Sequence, residues 1–318
     1  MKTVLSTISI FILAISALFL TSDISGQVRT AAPAVKQRTL RIVTEAGATV
    51  WLDGVRYGKA DSGGKLEINT VSTGNHVLRV RADGFKESSQ PITAAQKGDI
   101  KVTLVKTSDK AELAFQEAER LTAVDRELAA EAYRRAIKLR PNYPDAYVAL
   151  ARVLTETGDL EDAEKAIASA RKLRPVFPEA SAVLGRIHKE NGEEDKAVAD
   201  FKRAITEGKG FQPEALTGLG LLYKQKAEGF GGAGDFEQEQ ANYAESAKYL
   251  RSALKQLSGA PDAMIIYQLV GLIYERLEKF DDAIAVYEEF LRIFPDSSEA
   301  TAVRSFIVQI KKRVQDPQ

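Results

Sequence analysis

The sequence contains no cysteine and only two histidines, His76 and His188. The lack of cysteine excludes disulfides, thiolate metal sites and cysteine nucleophiles. Along the chain, no carboxylates have metal-ligand spacing around either histidine. Lys and Arg (44) balance Asp and Glu (44), so no overall field favours nucleic acid or an anionic membrane. These absences predict a protein that is not an enzyme and needs no cofactor.

Length and composition fit an ordinary globular protein. The 318 residues are 44% hydrophobic and 28% charged, too charged for a chain that crosses a membrane many times and too apolar for a disordered one. At about 100–200 residues per domain, this length predicts two domains.

The first 26 residues have the pattern of a secretory signal peptide. Lys2 precedes an apolar run over residues 4–20, and small polar residues lead to Gly26. We predict cleavage near residue 26; the alternative is an uncleaved N-terminal membrane anchor. Either alternative predicts an exported bacterial protein, periplasmic or associated with the cell envelope, and the lack of cysteine suits that location. Residues 27–38 are predicted to be a flexible linker.

Residues 39–106 alternate between apolar and polar side chains. Short alternating runs are separated by turns rich in Gly, Asp and Asn, which predicts about six strands in a small antiparallel β-sandwich. Asp53-Gly54 is a strong signal for a tight hairpin turn. Trp51 lies out of phase with Val50 and Leu52, so we expect it on the opposite face of the sheet.

Two stretches of this region resemble the PEGA module of bacterial and archaeal envelope proteins. They are GATVWLDG, starting at Gly47, and GNHVLRVRADGF, from Gly74 to Phe85. Glu45-Ala46-Gly47-Ala48 stands where that family has the four residues that name it. The resemblance implies an extracytoplasmic accessory domain without enzymatic activity, in which His76 is structural.

From residue 110 the pattern becomes helical and repeats. Residues 144–177 and 178–211 are both 34 residues long and align without a gap, with small residues at matching places, including Ala163 with Ala197. A 34-residue period of this kind resembles the tetratricopeptide repeat (TPR) family, which implies a superhelical solenoid of helix pairs. The predicted repeats and cap are 110–143, 144–177, 178–211, 213–260 with a 14-residue insertion, 264–297, and a capping helix over 298–314.

Two further details of this pattern concern the ends of the solenoid, and the first of them departs from the family. The first repeat has Gln116 and Glu117 where a large and a small residue are expected. In the capping helix, Ala302, Phe306 and Ile310 are spaced to form its apolar face. Both details bear on packing at the ends of the solenoid.

The string GFGGAG, residues 229–234, matches the glycine pattern of a dinucleotide-binding loop. Such a loop must follow a strand, and here a helix precedes it. We therefore interpret it as a flexible glycine turn within the insertion. His188 is interpreted as a residue that packs between helices.

The first helix of each repeat should line the inner face of the solenoid. Counting along the repeats places Arg152 and Arg186 at equivalent inner positions, with Lys189 and Lys224 one turn further along. Such a group suits an acidic peptide segment or a chain-end carboxylate, although a solvated charged face explains the pattern equally well.

The predicted function is a scaffold or adaptor that mediates protein–protein interactions through the concave face of the solenoid. The alternative is binding of cell-surface polysaccharide by the β-sandwich, with Trp51, Tyr57 and Phe85 as candidate contacts. For Trp51 we favour packing under a loop over presenting a platform for a sugar ring or a partner. The partner and the oligomeric state are not predicted by the sequence.

Overall fold

A computed structural model describes residues 37–96 and 98–315, within which the alternating segments form seven strands. The predicted signal peptide or anchor and most of the predicted linker lie outside these residues. The strands are β1 (Gln37–Val43), β2 (Thr49–Leu52), β3 (Val55–Lys59), β4 (Lys65–Ser72), β5 (His76–Arg81), β6 (Ser88–Ile92) and β7 (Asp99–Lys101). One sheet has the order β4-β1-β7 and the other β3-β2-β5-β6. The predicted sandwich is confirmed, with two refinements: β1 begins two residues before the predicted domain start, and β7 pairs in parallel with β1.

The inner faces of the two sheets form the core of the sandwich. Val50, Leu78 and Val80 are fully buried, and Trp51 lies on the opposite face of β2, as the alternation predicts. Asp53 and Gly54 both have positive φ, at 52° and 82°, which is the backbone of a tight hairpin turn and needs glycine at the second position.

His76 holds this turn against the rest of the sandwich. Its Nδ1 lies 2.6 Å from Asp53 Oδ2, and its Nε2 lies 3.0 Å from the Ser72 carbonyl oxygen. The other oxygen of Asp53 accepts a hydrogen bond from the Val77 backbone N–H at 2.8 Å. The structural role predicted for His76 is confirmed, because both of its nitrogens are engaged.

The repeating segment forms eleven helices within residues 110–315. Ten of them pair in sequence order and match the five predicted repeats, and the last one covers the end. They are α1 (Lys110–Leu121), α2 (Arg126–Leu139), α3 (Pro144–Thr157), α4 (Leu160–Leu173), α5 (Pro178–Glu190), α6 (Glu194–Glu207), α7 (Pro213–Gly232), α8 (Phe236–Leu257), α9 (Ala263–Arg276), α10 (Phe280–Ile293) and α11 (Ala300–Gln315). The Asp109 side chain caps α1 by accepting from the backbone N–H groups of Ala111 and Glu112.

Small residues allow the helices of one repeat to approach closely. Ala197 and Ala283 are fully buried, as the repeat alignment predicts. Gly185 faces the ring of Phe201, and Gly271 faces that of Tyr287; a Cβ at either glycine would lie less than 3 Å from the ring. These contacts confirm the register of the repeats, because large and small residues meet where the alignment places them.

The 14 extra residues of the fourth repeat lengthen its two helices. The helices α7 and α8 have 20 and 22 residues, whereas α3 and α4 have 14 each. The prediction of a flexible glycine turn is wrong for most of the string, because Gly229, Gly231 and Gly232 lie in α7. Within the string, Gly234 has a positive φ of 80°, and this left-handed conformation ends the helix.

The last helix covers the fifth repeat, and two of the three residues predicted for its apolar face, Phe306 and Ile310, pack there. Val303, Ile307 and Ile310 are buried, whereas Ala302 is exposed. The prediction of a capping helix is confirmed, and the assignment of Ala302 to its apolar face is wrong. Among the described residues, none of the helices combines the length and apolar character that a membrane span requires.

Candidate functional site

The sandwich touches the solenoid at two junctions. The first, which we call the polar junction, lies against α1. Arg81 of β5 pairs with Glu119 at 2.5 Å and lies over the ring of Phe115. Gln116, whose side chain is buried, accepts from the Gly84 backbone N–H at 2.8 Å and donates to the Phe85 carbonyl at 2.7 Å.

Burial and charge oppose each other at the polar junction. Burial raises the pKa of the Glu119 carboxyl, although Arg81 works to lower it. Burial would lower the pKa of Arg81, but Glu119 and Glu87 outweigh it and hold that pKa above its usual range. The guanidinium therefore stays charged, and it requires both carboxylates because its side chain is only 10% exposed.

The second junction, which we call the apolar junction, lies at the turn between α8 and α9. Val55 of β3 is buried in one cluster with Leu257 and Ile266, and the ring of Tyr57 packs against the same cluster. The Tyr57 hydroxyl donates to the Leu257 carbonyl oxygen at 3.2 Å. The sandwich thus joins the first repeat to the fourth and fifth repeats.

Between the two junctions lies a cavity of about 1170 Å³, which we call the chamber. One wall is the outward face of β2 and β5, and the other is formed by the first helices of the middle repeats, α3, α5 and α7. Four apolar side chains that line it are between 38% and 72% exposed: Val77, Phe211, Leu221 and Ile265. The concave face of the solenoid is therefore covered by the sandwich and still has apolar surface available for contact.

The chamber is lined by equal numbers of opposite charges. Its cationic and acidic side chains are Arg56, Arg79, Arg81, Arg152, Arg174, Arg186 and Lys189, and Asp53, Glu119, Asp145, Glu179, Glu190, Glu214 and Asp262. Much of this charge is paired within the chain. The lining therefore has no net formal charge.

Arg152 makes one of the bidentate pairs of the chamber. Its guanidinium donates two hydrogen bonds to the two oxygens of Glu214, at 2.5 and 2.6 Å, reaching from α3 to the start of α7. Burial works to lower the pKa of Arg152, but Glu214 outweighs it and the pKa lies above its usual range. A fork of this kind is the geometry with which Arg holds any carboxylate.

The structure brings three of the four predicted cations together. Arg152, Arg186 and Lys189 all line the chamber. Arg186 pairs with Glu156 at 3.0 Å, and Lys189 with Glu190 at 3.0 Å. Lys224 is not among the lining residues and pairs with Glu228 on its own helix at 2.5 Å.

The three aromatic residues proposed as sugar contacts lie in three different places. Trp51 lines the chamber, and the Arg79 guanidinium stacks 4.4 Å from its ring centre. Tyr57 belongs to the apolar junction, and Phe85 packs against the core of the sandwich beside the polar junction. The described structure therefore offers no continuous platform formed by all three rings.

The sequence did not reveal the residues that close the chamber. Glu214 and Glu119 are ordinary acidic residues on helices, and Tyr57 was assigned to a different role. The sequence does contain a signal at Gln116, since the first repeat departs from the family pattern there. In the structure, the Gln116 side chain bonds to the sandwich.

His188 has a different environment from the one predicted. It packs between helices, but three carboxylates from two helices surround it: Glu164, Glu193 and Asp200. The expectation that no carboxylates have ligand spacing around it is wrong, because Glu164, Glu193 and Asp200, which lie 24, 5 and 12 positions from His188 along the chain, come together in the fold. Among the residues that the structure describes, Glu164, His188 and Glu193 form a group whose geometry could hold a metal ion.

Comparison with known families assigns both regions. A PEGA domain matches residues 38–108, and tetratricopeptide repeats match residues 121–187, 178–207 and 233–298. No curated protein matches the sequence.

Solved structures of repeat proteins are similar to this chain. The yeast Tom70 structure has a TM-score of 0.51 at 18% identity, over 65% of this chain and 41% of Tom70. The MamA protein has a TM-score of 0.41 at 19% identity, over 61% and 96%. A thermophilic TPR protein of Thermus thermophilus has a TM-score of 0.45 at 17% identity, over 63% and 98%. At such identities the likeness to Tom70 concerns the fold alone.

Proposed function

Since the chain is a tetratricopeptide repeat protein with an N-terminal PEGA domain, we propose that it is an exported, non-enzymatic scaffold of the bacterial cell envelope. Its partner is a protein segment that binds in the chamber. The observation that carries this proposal is the chamber itself, in which the inner helices of the middle repeats face Trp51 and β5 across a cavity of about 1170 Å³. A preformed concave surface binds a segment without a large cost of reordering the protein.

The lining indicates the chemistry of the partner. A carboxylate of the partner takes the place of Glu214 on the Arg152 fork, and apolar side chains contact Leu221 and Ile265. Exchange of one carboxylate for another leaves the guanidinium paired throughout, so it avoids the penalty of an uncompensated charge. We therefore propose an extended segment that carries an acidic residue and apolar residues.

The envelope location is supported by residues that the structure does not describe. The apolar run over residues 4–20 predicts either a cleaved signal peptide or an anchor, and both lead to export. The PEGA domain is consistent with this location. In the proposed arrangement, the sandwich closes one side of the binding surface.

The test is an affinity pull-down from solubilised cell envelope, with the chain from Gln27 onward as bait. One variant exchanges the charges of the bidentate pair, Arg152→Glu with Glu214→Arg, so that the ion pair can re-form while the fork on α3 is lost. A protein captured by the wild type should be lost with this variant. The matched control is Lys224→Glu, outside the lining residues, which should capture as the wild type does.

Two outcomes would reject the proposal. Equal capture by the wild type and the charge-exchanged variant would place the binding surface outside the chamber. Capture of glycan alone, lost on Trp51→Ala, would support polysaccharide binding instead.

A further inference from the structure

The carboxylates around His188 form a cluster outside the chamber. His188 lies near the end of α5, Glu164 lies on α4, and Glu193 lies just before α6. From His188 Nε2, the Glu164 Oε1 atom is 3.6 Å away and the Glu193 Oε2 atom is 3.7 Å away. All three candidate ligand atoms lie within 4.8 Å of one another.

The other nitrogen of His188 is held in place. Nδ1 lies 2.6 Å from Asp200 Oδ2, and Asp200 is only 8% exposed and accepts a hydrogen bond from Arg203 at 2.7 Å. An ionised carboxylate only accepts, so the proton of neutral His188 lies on Nδ1 and the lone pair lies on Nε2. Among the described residues, Nε2 makes no hydrogen bond, and it faces the two glutamates at distances beyond hydrogen-bond range.

This arrangement matches the ligand shell of a transition-metal ion. A carboxylate that fixes a histidine through its second nitrogen is the usual outer partner of a metal-bound imidazole. A tetrahedral ion with bonds of about 2.0–2.1 Å separates its ligand atoms by about 3.3–3.4 Å. The two distances from His188 Nε2 are slightly longer than this, and the two glutamate oxygens lie within 4.8 Å of each other. The two glutamates are 43% and 33% exposed, so their side chains are able to make this small movement.

The ligand types select the ion. One imidazole nitrogen with two carboxylate oxygens suits Zn²⁺ and related divalent ions, whereas Ca²⁺ and Mg²⁺ take oxygen ligands. Lys196 lies 3.0 Å from the same oxygen of Glu193, so this lysine must release that oxygen when the ion binds. It is 63% exposed, so water is available to it after release.

We propose that Glu164, His188 and Glu193 bind one zinc-class divalent ion, with water completing its coordination and Asp200 orienting the imidazole. The ion links α4 of the second repeat to α5 and α6 of the third, so it fixes the packing of two adjacent repeats. Lys189, the next residue on α5, lines the chamber, so this end of α5 is held beside the proposed binding surface. The site uses only residues of this chain and does not depend on the proposed function.

The test is a titration of tag-free, chelator-treated protein with Zn²⁺ by calorimetry, and with Co²⁺ by visible absorption. We expect one ion per chain and a rise in the melting temperature of the helices. His188→Gln should abolish stoichiometric binding, and Asp200→Asn should weaken it about 10- to 100-fold, since an outer partner has effects of that size. Glu164→Gln, at an exposed position, tests a ligand with little risk to folding.

The matched control is the other histidine. His76 also pairs with an aspartate, but its Nε2 bonds to Ser72, so His76→Gln should leave the affinity for Zn²⁺ unchanged. No saturable binding of Zn²⁺ or Co²⁺ by folded wild type would overturn the proposal. Retention of wild-type affinity by Glu164→Gln and His188→Gln would overturn it as well.

Discussion

The two junctions of the sandwich differ in chemistry and in their distance along the chain. At the polar junction, Gln116 and Glu119 bond to a domain that ends just before their own helix. At the apolar junction, Val55 and Tyr57 pack against Leu257, about 200 residues later in the sequence. The first junction depends on directional bonds, and the second depends on burial of apolar surface.

This difference shows how a solenoid can be closed into a ring. In a repeat protein each repeat contacts only its neighbours, so the two ends of the solenoid make no contact with each other. The polar junction sets the orientation of the sandwich where chain connectivity already keeps it close. The apolar junction must offset the entropy of closing the long segment between them, for which non-directional burial suffices. The chamber exists only while both junctions hold.

The largest effect is expected from Tyr57→Ala at the apolar junction. Removal of a partly buried aromatic ring should cost about 2–4 kcal/mol, somewhat below the usual cost for a fully buried one. Trp51, the only tryptophan, reports on the sandwich, and far-UV circular dichroism reports on the helices. We expect the two denaturant transitions to coincide in the wild type and to separate in the variant.

Tyr57→Phe is the matched control for this change. It keeps the ring and loses only the hydroxyl, which is shared between the Leu257 and Ser258 carbonyl oxygens and should contribute about 0.5–1.5 kcal/mol. If Tyr57→Ala lowered both transitions equally, the apolar junction would not be the element that couples the two domains.

A substitution inside the solenoid tests whether destabilising the helices also destabilises the sandwich. Ala283 is fully buried between α9 and α10, and Ala283→Leu should cost about 1–3 kcal/mol through overpacking. Both junctions remain intact, so the Trp51 transition should shift together with the helical one. Ala302→Leu, on the exposed face of α11, should stay within about 0.5 kcal/mol. An equally small effect at Ala283 would contradict the packing described here.

The sequence predicted what depends on local periodicity. The 34-residue period located the repeats, and small residues such as Ala197 identified their close contacts. Alternation located the sandwich and placed Trp51 on the face opposite Val50. The glycine string was misread because its residues usually end helices, whereas here Gly229 and Gly231 continue α7 over the extra turns.

Contacts between distant segments were not predictable from these patterns. The sequence placed Arg152 and Arg186 on one surface, but nothing in it paired Arg152 with Glu214 or set Tyr57 against Leu257. The carboxylates around His188 likewise come from α4, from the residue before α6 and from α6, so the sequence pattern did not show that they meet. Gln116 is the exception, because a polar residue at a core position of a repeat indicates a partner outside the repeat.

The smallest of the three effects is expected from Gln116→Leu at the polar junction. The variant keeps a similar volume but leaves the Gly84 N–H and the Phe85 carbonyl without their partner, which should cost about 1–2 kcal/mol. Because Arg81 still pairs with Glu119, the sandwich should stay docked and the two transitions should remain together. Glu117→Gln, exposed on the same helix, is the matched control and should change stability by less than about 0.5 kcal/mol. If the two transitions separated more in Gln116→Leu than in Tyr57→Ala, the polar junction would contribute more than the apolar junction to the coupling of the two domains. Directional bonding would then be the main force that closes the ring.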